Sequence, residues 1–123
     1  MLKEACVENF TNVPGVIERG AKRIELCDNL AVGGTTPSIG VIKITAEYCS
    51  DKDASIIVIL RPRGGDFVYS LMEKAIMMRD LEEIIASHAN GIAVGALTAV
   101  NDLDKPFLEE IAKLAIANGT ELV

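Results

Sequence analysis

Ile57-Val58-Ile59-Leu60-Arg61-Pro62-Arg63-Gly64-Gly65-Asp66-Phe67 is a strand that ends in an unusual loop. Four apolar residues, β-branched or aliphatic, run straight into two arginines, a proline, a glycine pair and an aspartate. A continuous apolar strand is buried on both faces, as in a parallel sheet covered by helices. Arg61 and Arg63 at its mouth form an anion-attracting rim, and Gly64-Gly65 lets backbone approach whatever binds there. A buried guanidinium is costly unless paired, so these arginines call for a carboxylate in the chain or on a ligand. The segment reads as the floor of a site.

Working outward, the chain alternates strand and helix patterns. Leu2 to Val7 is a short strand. Thr11 is the expected N-cap of a short helix with Pro14 in its first turn, ending near Gly20. Arg23 to Cys27 is a second strand. After the loop Gly33-Gly34-Thr35-Thr36, Pro37 is the expected first residue of a helix reaching about Cys49. Ile56 to Leu60 is the third strand. Ser70 to Ser87 is a long helix, with Leu71, Ala75, Met78, Leu81 and Ile85 recurring on one face. Gly91 to Ala96 is a fourth strand, Asp104 to Asn118 a fourth helix closed by Gly119, and Thr120 to Val123 the start of a fifth strand.

Such βα alternation predicts a parallel sheet with right-handed crossovers, either an open doubly wound sheet or a (β/α)8 barrel. Polar residues inside the strands decide between them. Glu4 and Cys6, then Glu25 and Cys27, are two residues apart and share one face of their strands, and Arg61 closes the third. Facing inward near the βα loops of a barrel accommodates them, so the α/β fold expected is the TIM-barrel type. A full barrel takes about 250 residues, so residues 1–123 are expected to be the N-terminal half of one barrel domain: four βα units and the start of strand five.

Composition narrows the function classes. The chain has 123 residues, half of them hydrophobic, and no tryptophan, which predicts an aliphatic core. A net charge of -6 without a Lys/Arg cluster argues against nucleic-acid binding. A strand pattern beginning at Leu2 leaves no room for a signal peptide, and no apolar run has the length of a membrane span. Three cysteines in an acidic chain suggest free thiols in a reducing cytoplasm.

Several blocks together resemble the CutC copper homeostasis family. They are Glu4-Ala5-Cys6-Val7-Glu8, Arg23-Ile24-Glu25-Leu26-Cys27-Asp28, Gly33-Gly34-Thr35-Thr36-Pro37-Ser38, and Arg61 through Ser70, with Gly95-Ala96-Leu97-Thr98 as a further match. The resemblance implies a cytoplasmic (β/α)8 barrel that forms homo-oligomers and is connected with copper. It also implies a copper role for Cys6 and Cys27. The family's next segment, a strand with a His-Arg-Asp cluster, does not occur in these residues.

Two chemistries follow from the inward-facing residues. Cys6 and Cys27, at equivalent places in adjacent strands, suit Cu(I), which prefers soft sulfur ligands. The plainer reading is that both are small packed hydrophobes. Alternatively, Glu4 or Glu25 serves as general acid or base while Arg61, Arg63 and the backbone of Gly33, Gly34 and Thr35 clamp a small carboxylate or phosphate, with no metal involved. The plainer reading there is a closed ion-pair layer, Glu25 on Arg61 and Asp66 on Arg63. Cys49 shares a helix face with Ile42 and Ala46 and reads as core. His88 reads as a helix-terminal residue. The expected partners are copper ion or a small anion and further copies of the chain, without nucleic acid or membrane.

Overall fold

A computed structural model describes residues 1–123. The chain forms β1 (Glu4–Glu8), α1 (Val13–Glu18), β2 (Arg23–Cys27), a 3-10 turn (Leu30–Val32), α2 (Ile39–Asp51), β3 (Ser55–Ile59), α3 (Leu71–Ala86), β4 (Gly91–Ala93), α4 (Lys105–Ala117) and β5 (Glu121–Leu122). All five strands are parallel and pair in chain order, β1-β2-β3-β4-β5. A doubly wound sheet reverses its order part-way. Here nothing reverses, so every crossover of one hand lays its helix on the same side. This is the TIM-barrel type of α/β fold. No helix is long and apolar enough to cross a membrane.

The core lies between that side of the sheet and the helices. Alternate strand residues supply it: Val7 from β1, Ile24 and Leu26 from β2, Ile56 and Val58 from β3 with Leu60 beyond it, and Ile92 from β4. From the helices come Ile42, Ala46 and Cys49 of α2, Met77, Leu81 and Ile84 of α3, and Phe107, Ile111 and Ala115 of α4. Each fully buried aliphatic side chain contributes about 1.5–3 kcal/mol. The other set of strand residues points away from the helices, toward what a barrel would enclose. β4 begins on that side with Gly91, where a Cβ would come within 2.7 Å of Ile57 Cδ1 and 2.8 Å of the Glu121 carbonyl oxygen.

Three local expectations are corrected. Helix α2 begins at Ile39 under Ser38, whose Oγ accepts from the Val41 N–H, and not at Pro37 under Thr36. Thr36 is occupied elsewhere. Its N–H and hydroxyl both donate to the Arg61 carbonyl, and its hydroxyl accepts from the Arg61 N–H at 2.9 Å. Asn12, not Thr11, stands at the N-cap position of helix α1, and its side chain makes no cap bond. Helix α3 is rolled from the expected face: its buried stripe is Met77, Leu81 and Ile84, and Leu71 is 85% exposed. The helix carries apolar residues on two overlapping stripes, and packing on the sheet selects one. Its start is firmly set, because Ser70 and Glu73 form a reciprocal capping box.

Candidate functional site

Strand parity brings the residues of interest to one surface. Glu4, Cys6 and Glu8 of β1 and Arg23, Glu25 and Cys27 of β2 alternate with core residues and face the same way. Arg61 follows β3 on that face. Glu4 is paired with Arg23, both about 30% exposed, so the pair adds little stability. Glu8 accepts the Leu30 N–H at 3.0 Å and thereby anchors the 3-10 turn. Glu25 takes part in none of the four ion pairs.

The sulfurs of Cys6 and Cys27 lie 3.9 Å apart. They are not at equivalent places along their strands, however. Cys6 pairs with Glu25, and Cys27 pairs with Glu8, so the two thiols meet on a diagonal. Strand geometry puts their Cα atoms about 8 Å apart, beyond the roughly 7 Å that a disulfide spans without backbone movement. Cys6 is exposed and Cys27 buried. Burial, with Cys6 and the Glu25 charge adding to it, pushes the Cys27 thiol up to about 12. Cys49, separate from this pair, is pushed up by burial to about 11.

Gly34 covers the buried thiol. A Cβ there would lie 3.4 Å from Cys27 Sγ and 3.2 Å from Ile59 Cδ1, and its φ of +97° is one that side chains rarely adopt. The glycine loop does not present N–H groups to an anion. The Gly33 N–H bonds Leu30 O, that of Gly34 bonds Asn29 O, and that of Thr35 bonds Asp28 O. What the loop offers is carbonyl groups, and Arg61 takes them.

Arg61 is 7% exposed and has no carboxylate partner, so the expected Glu25–Arg61 pair is absent. Its Nη1 donates to Val32 O at 2.7 Å and Gly34 O at 3.0 Å, and its Nη2 to Gly65 O at 2.8 Å. Its guanidinium carbon lies 4.9 Å from the centre of the Phe67 ring. The Nε–H has no partner, and neither does the buried Tyr69 hydroxyl. Burial raises the Tyr69 pKa against the Arg61 charge, the nearness of the Arg61 side chain to its hydroxyl, and the Arg63 charge.

Arg63 is consumed inside the chain. It pairs with Glu73 and Asp66 and donates to the carbonyls of Gly64, Asp66 and Val68. Its hydrogen bond to Glu73, with the Glu73 charge adding to it, raises its pKa, while the Ser70 backbone N–H and Arg63 lower that of Glu73. Arg63 shapes the loop, and Arg61 is the only one of the two left without a counter-charge.

A model of the CutC family matches residues 1–122. The chain belongs to the CutC family. It is 50% identical over 109 residues to the family protein CutC of Enterococcus faecalis, covering 89% of this chain and 52% of that one. To the Streptococcus pyogenes CutC it is 43% identical over 123 residues, covering 100% of this chain and 58% of the other. The chain thus spans about half the length of the curated relatives it matches. A crystal structure of the putative copper homeostasis protein CutC from Streptococcus agalactiae superposes with a TM-score of 0.91 at 41% identity, over 99% of this chain and 57% of that one. The 3-dehydroquinate dehydratase of Aquifex aeolicus superposes with a TM-score of 0.62 at 15% identity, over 99% of this chain and 51% of the other, a likeness of fold alone.

In this CutC-family chain the sequence reading missed the part played by Glu73. Glu73 carries a legible signal, since Ser70-x-x-Glu73 is a capping-box pattern, although its grip on Arg63 is not. Thr36, expected as a helix cap, instead clasps the Arg61 backbone, a role that only the approach of β3 reveals.

Proposed function

We propose that the protein binds Cu(I) as cargo through Cys6 and Cys27 and so serves copper homeostasis. The observation that carries this reading is the pair of thiols 3.9 Å apart on a diagonal that disfavours a disulfide. Two sulfurs at that separation, each about 2.3 Å from one metal, subtend an angle of about 115°. That suits a three-coordinate soft ion with one position left for exchange. No cluster of three or more His, Cys, Asp or Glu side chains adds further protein ligands, so cargo fits this pair better than a permanent structural metal does. The printed names of relatives point the same way: the Dictyostelium discoideum relative, 38% identical over 119 residues, is named a copper homeostasis protein homolog.

The same reading places the protein in the cytoplasm, where three free cysteines persist, as a homo-oligomer. Support for self-association comes from Leu71, Met72 and Ile76, which are 85%, 73% and 49% exposed on α3. The four βα units are taken as the N-terminal half of a single barrel domain. The test is an anaerobic Cu(I) titration of the wild type and of the Cys6→Ser/Cys27→Ser double variant. Stoichiometric binding by the wild type and none by the variant is expected. Equal binding by both refutes the thiol site.

A further inference from the structure

Cys27 is closed off by a short flap of chain, and one side chain holds that flap down. The flap, residues 28–35, follows β2. Its base is pinned by the Asp28 and Thr35 backbones, which exchange hydrogen bonds of 2.9 and 2.7 Å. Its 3-10 turn is tethered at Leu30, whose N–H donates to Glu8. Gly34 then lies on the thiol, so close that a Cβ there would sit 3.4 Å from Cys27 Sγ. The carbonyls of Val32 and Gly34 in the flap both accept from Arg61 Nη1, while Nη2 donates to Gly65 O in the loop after β3. The guanidinium thus stitches the two loops together. Val32 also rests on the second loop, where a Cβ on Gly64 would come within 2.9 Å of Val32 Cβ. Strands β2 and β3 each have both sheet neighbours in place, so every part of this arrangement belongs to these residues.

We propose that Arg61 is a positioning residue for the thiol pair: it latches the flap of residues 28–35 over Cys27, so that outside molecules reach this sulfur only when the latch opens. A guanidinium 7% exposed and without a carboxylate is costly to bury. What the fold gains in return is three bonded carbonyls, two of them on the flap. Only a planar fork serves here, because one nitrogen must bridge two flap carbonyls while the other reaches the next loop. Arg61 makes no bond to either sulfur, and the two sulfurs meet each other. Its effect therefore falls on the rate of access to Cys27 and not on the strength of a metal–sulfur bond. The purpose of the latch, slowing metal exchange, rests on the Cu(I) reading above; its mechanics do not. Each hydrogen bond from a charged donor shifts an equilibrium by at least about tenfold, so loss of the fork opens the flap by at least that factor.

The experiment is timed alkylation of the folded, metal-free protein with iodoacetamide under anaerobic conditions. Trypsin separates the three thiols onto residues 4–19, 24–43 and 44–52, so mass spectrometry reads each rate alone. Arg61→Met is expected to accelerate Cys27 by at least about tenfold. Cys49, wholly buried in the core, should keep its rate; a merely structural role for Arg61 would loosen both. Arg61→Lys keeps the charge and can hold one carbonyl, so its Cys27 rate should fall between the other two. In a second arm, Cu(I)-loaded Arg61→Met should release metal to a chromophoric chelator at least about tenfold faster than wild type, at an affinity within about threefold. An unchanged Cys27 rate in Arg61→Met, acceleration of Cys49 alongside it, or a lysine variant as reactive as the methionine one would each overturn the latch. Accelerated alkylation of Cys27 in a protein that binds no Cu(I) would uphold the latch and overturn the thiol site alone.

Discussion

Cu(I) binding through Cys27 must displace a proton that the fold holds tightly, and the effect is measurable. Burial, the Cys6 sulfur and the Glu25 charge push this thiol up to about 12. At pH 7 such a group is almost wholly protonated, so forming its thiolate costs on the order of several kcal/mol, at about 1.4 kcal/mol per pH unit. The metal–sulfur bond must repay that cost. Because the proton competes with the metal, apparent affinity rises about tenfold per pH unit for this thiol, up to its pKa. The sign is therefore tighter binding at higher pH, at least about hundredfold over two pH units around neutrality. The assay is anaerobic competition against a chromophoric Cu(I) chelator whose own protonation is known, run for wild type and for Cys27→Ser. The variant is expected to lose one proton from the slope as well as most of its affinity. A flat profile in the wild type, or the same slope in both proteins, would refute a site in which Cys27 is a ligand.

Two further outcomes follow from packing. Met77→Ala, at a fully buried position of α3, is expected to cost about 2–5 kcal/mol, whereas Leu71→Ala, 85% exposed, should stay within about 0.5 kcal/mol; urea unfolding of the two variants checks which face of α3 is buried. Gly91→Ala forces a Cβ to within 2.8 Å of the Glu121 carbonyl oxygen, so a loss of about 1–3 kcal/mol is expected, together with faster amide exchange at Glu121, whose N–H bonds Asn90 O.

The order of elements and the sidedness of the strands were legible in the sequence, because both rest on local periods. Side chains alternate every second residue, so Glu4 and Cys6 share one face of β1, and Glu25 and Cys27 one face of β2. Registry is not local. That Cys6 lies opposite Glu25 and not Cys27 depends on how β1 slides along β2, and this turns an apparent side-by-side pair into a diagonal one. The face of α3 was misjudged for a related reason. Two apolar stripes overlap on that helix, and only contact with the sheet selects Met77, Leu81 and Ile84.

The site divides along the same line. By itself the sequence established that a buried strand ends at Arg61 and that the guanidinium there needs partners. It also offered the backbone of Gly33, Gly34 and Thr35 as donors to an anion. Only the tertiary structure decided the polarity of that meeting. The loop turns its N–H groups inward on itself and its carbonyls toward Arg61, while Arg63 is taken by Glu73 ten residues on. Residue type fixes what a group donates or accepts, but the partner it finds is chosen by neighbours distant in the chain, through distances that no local pattern encodes.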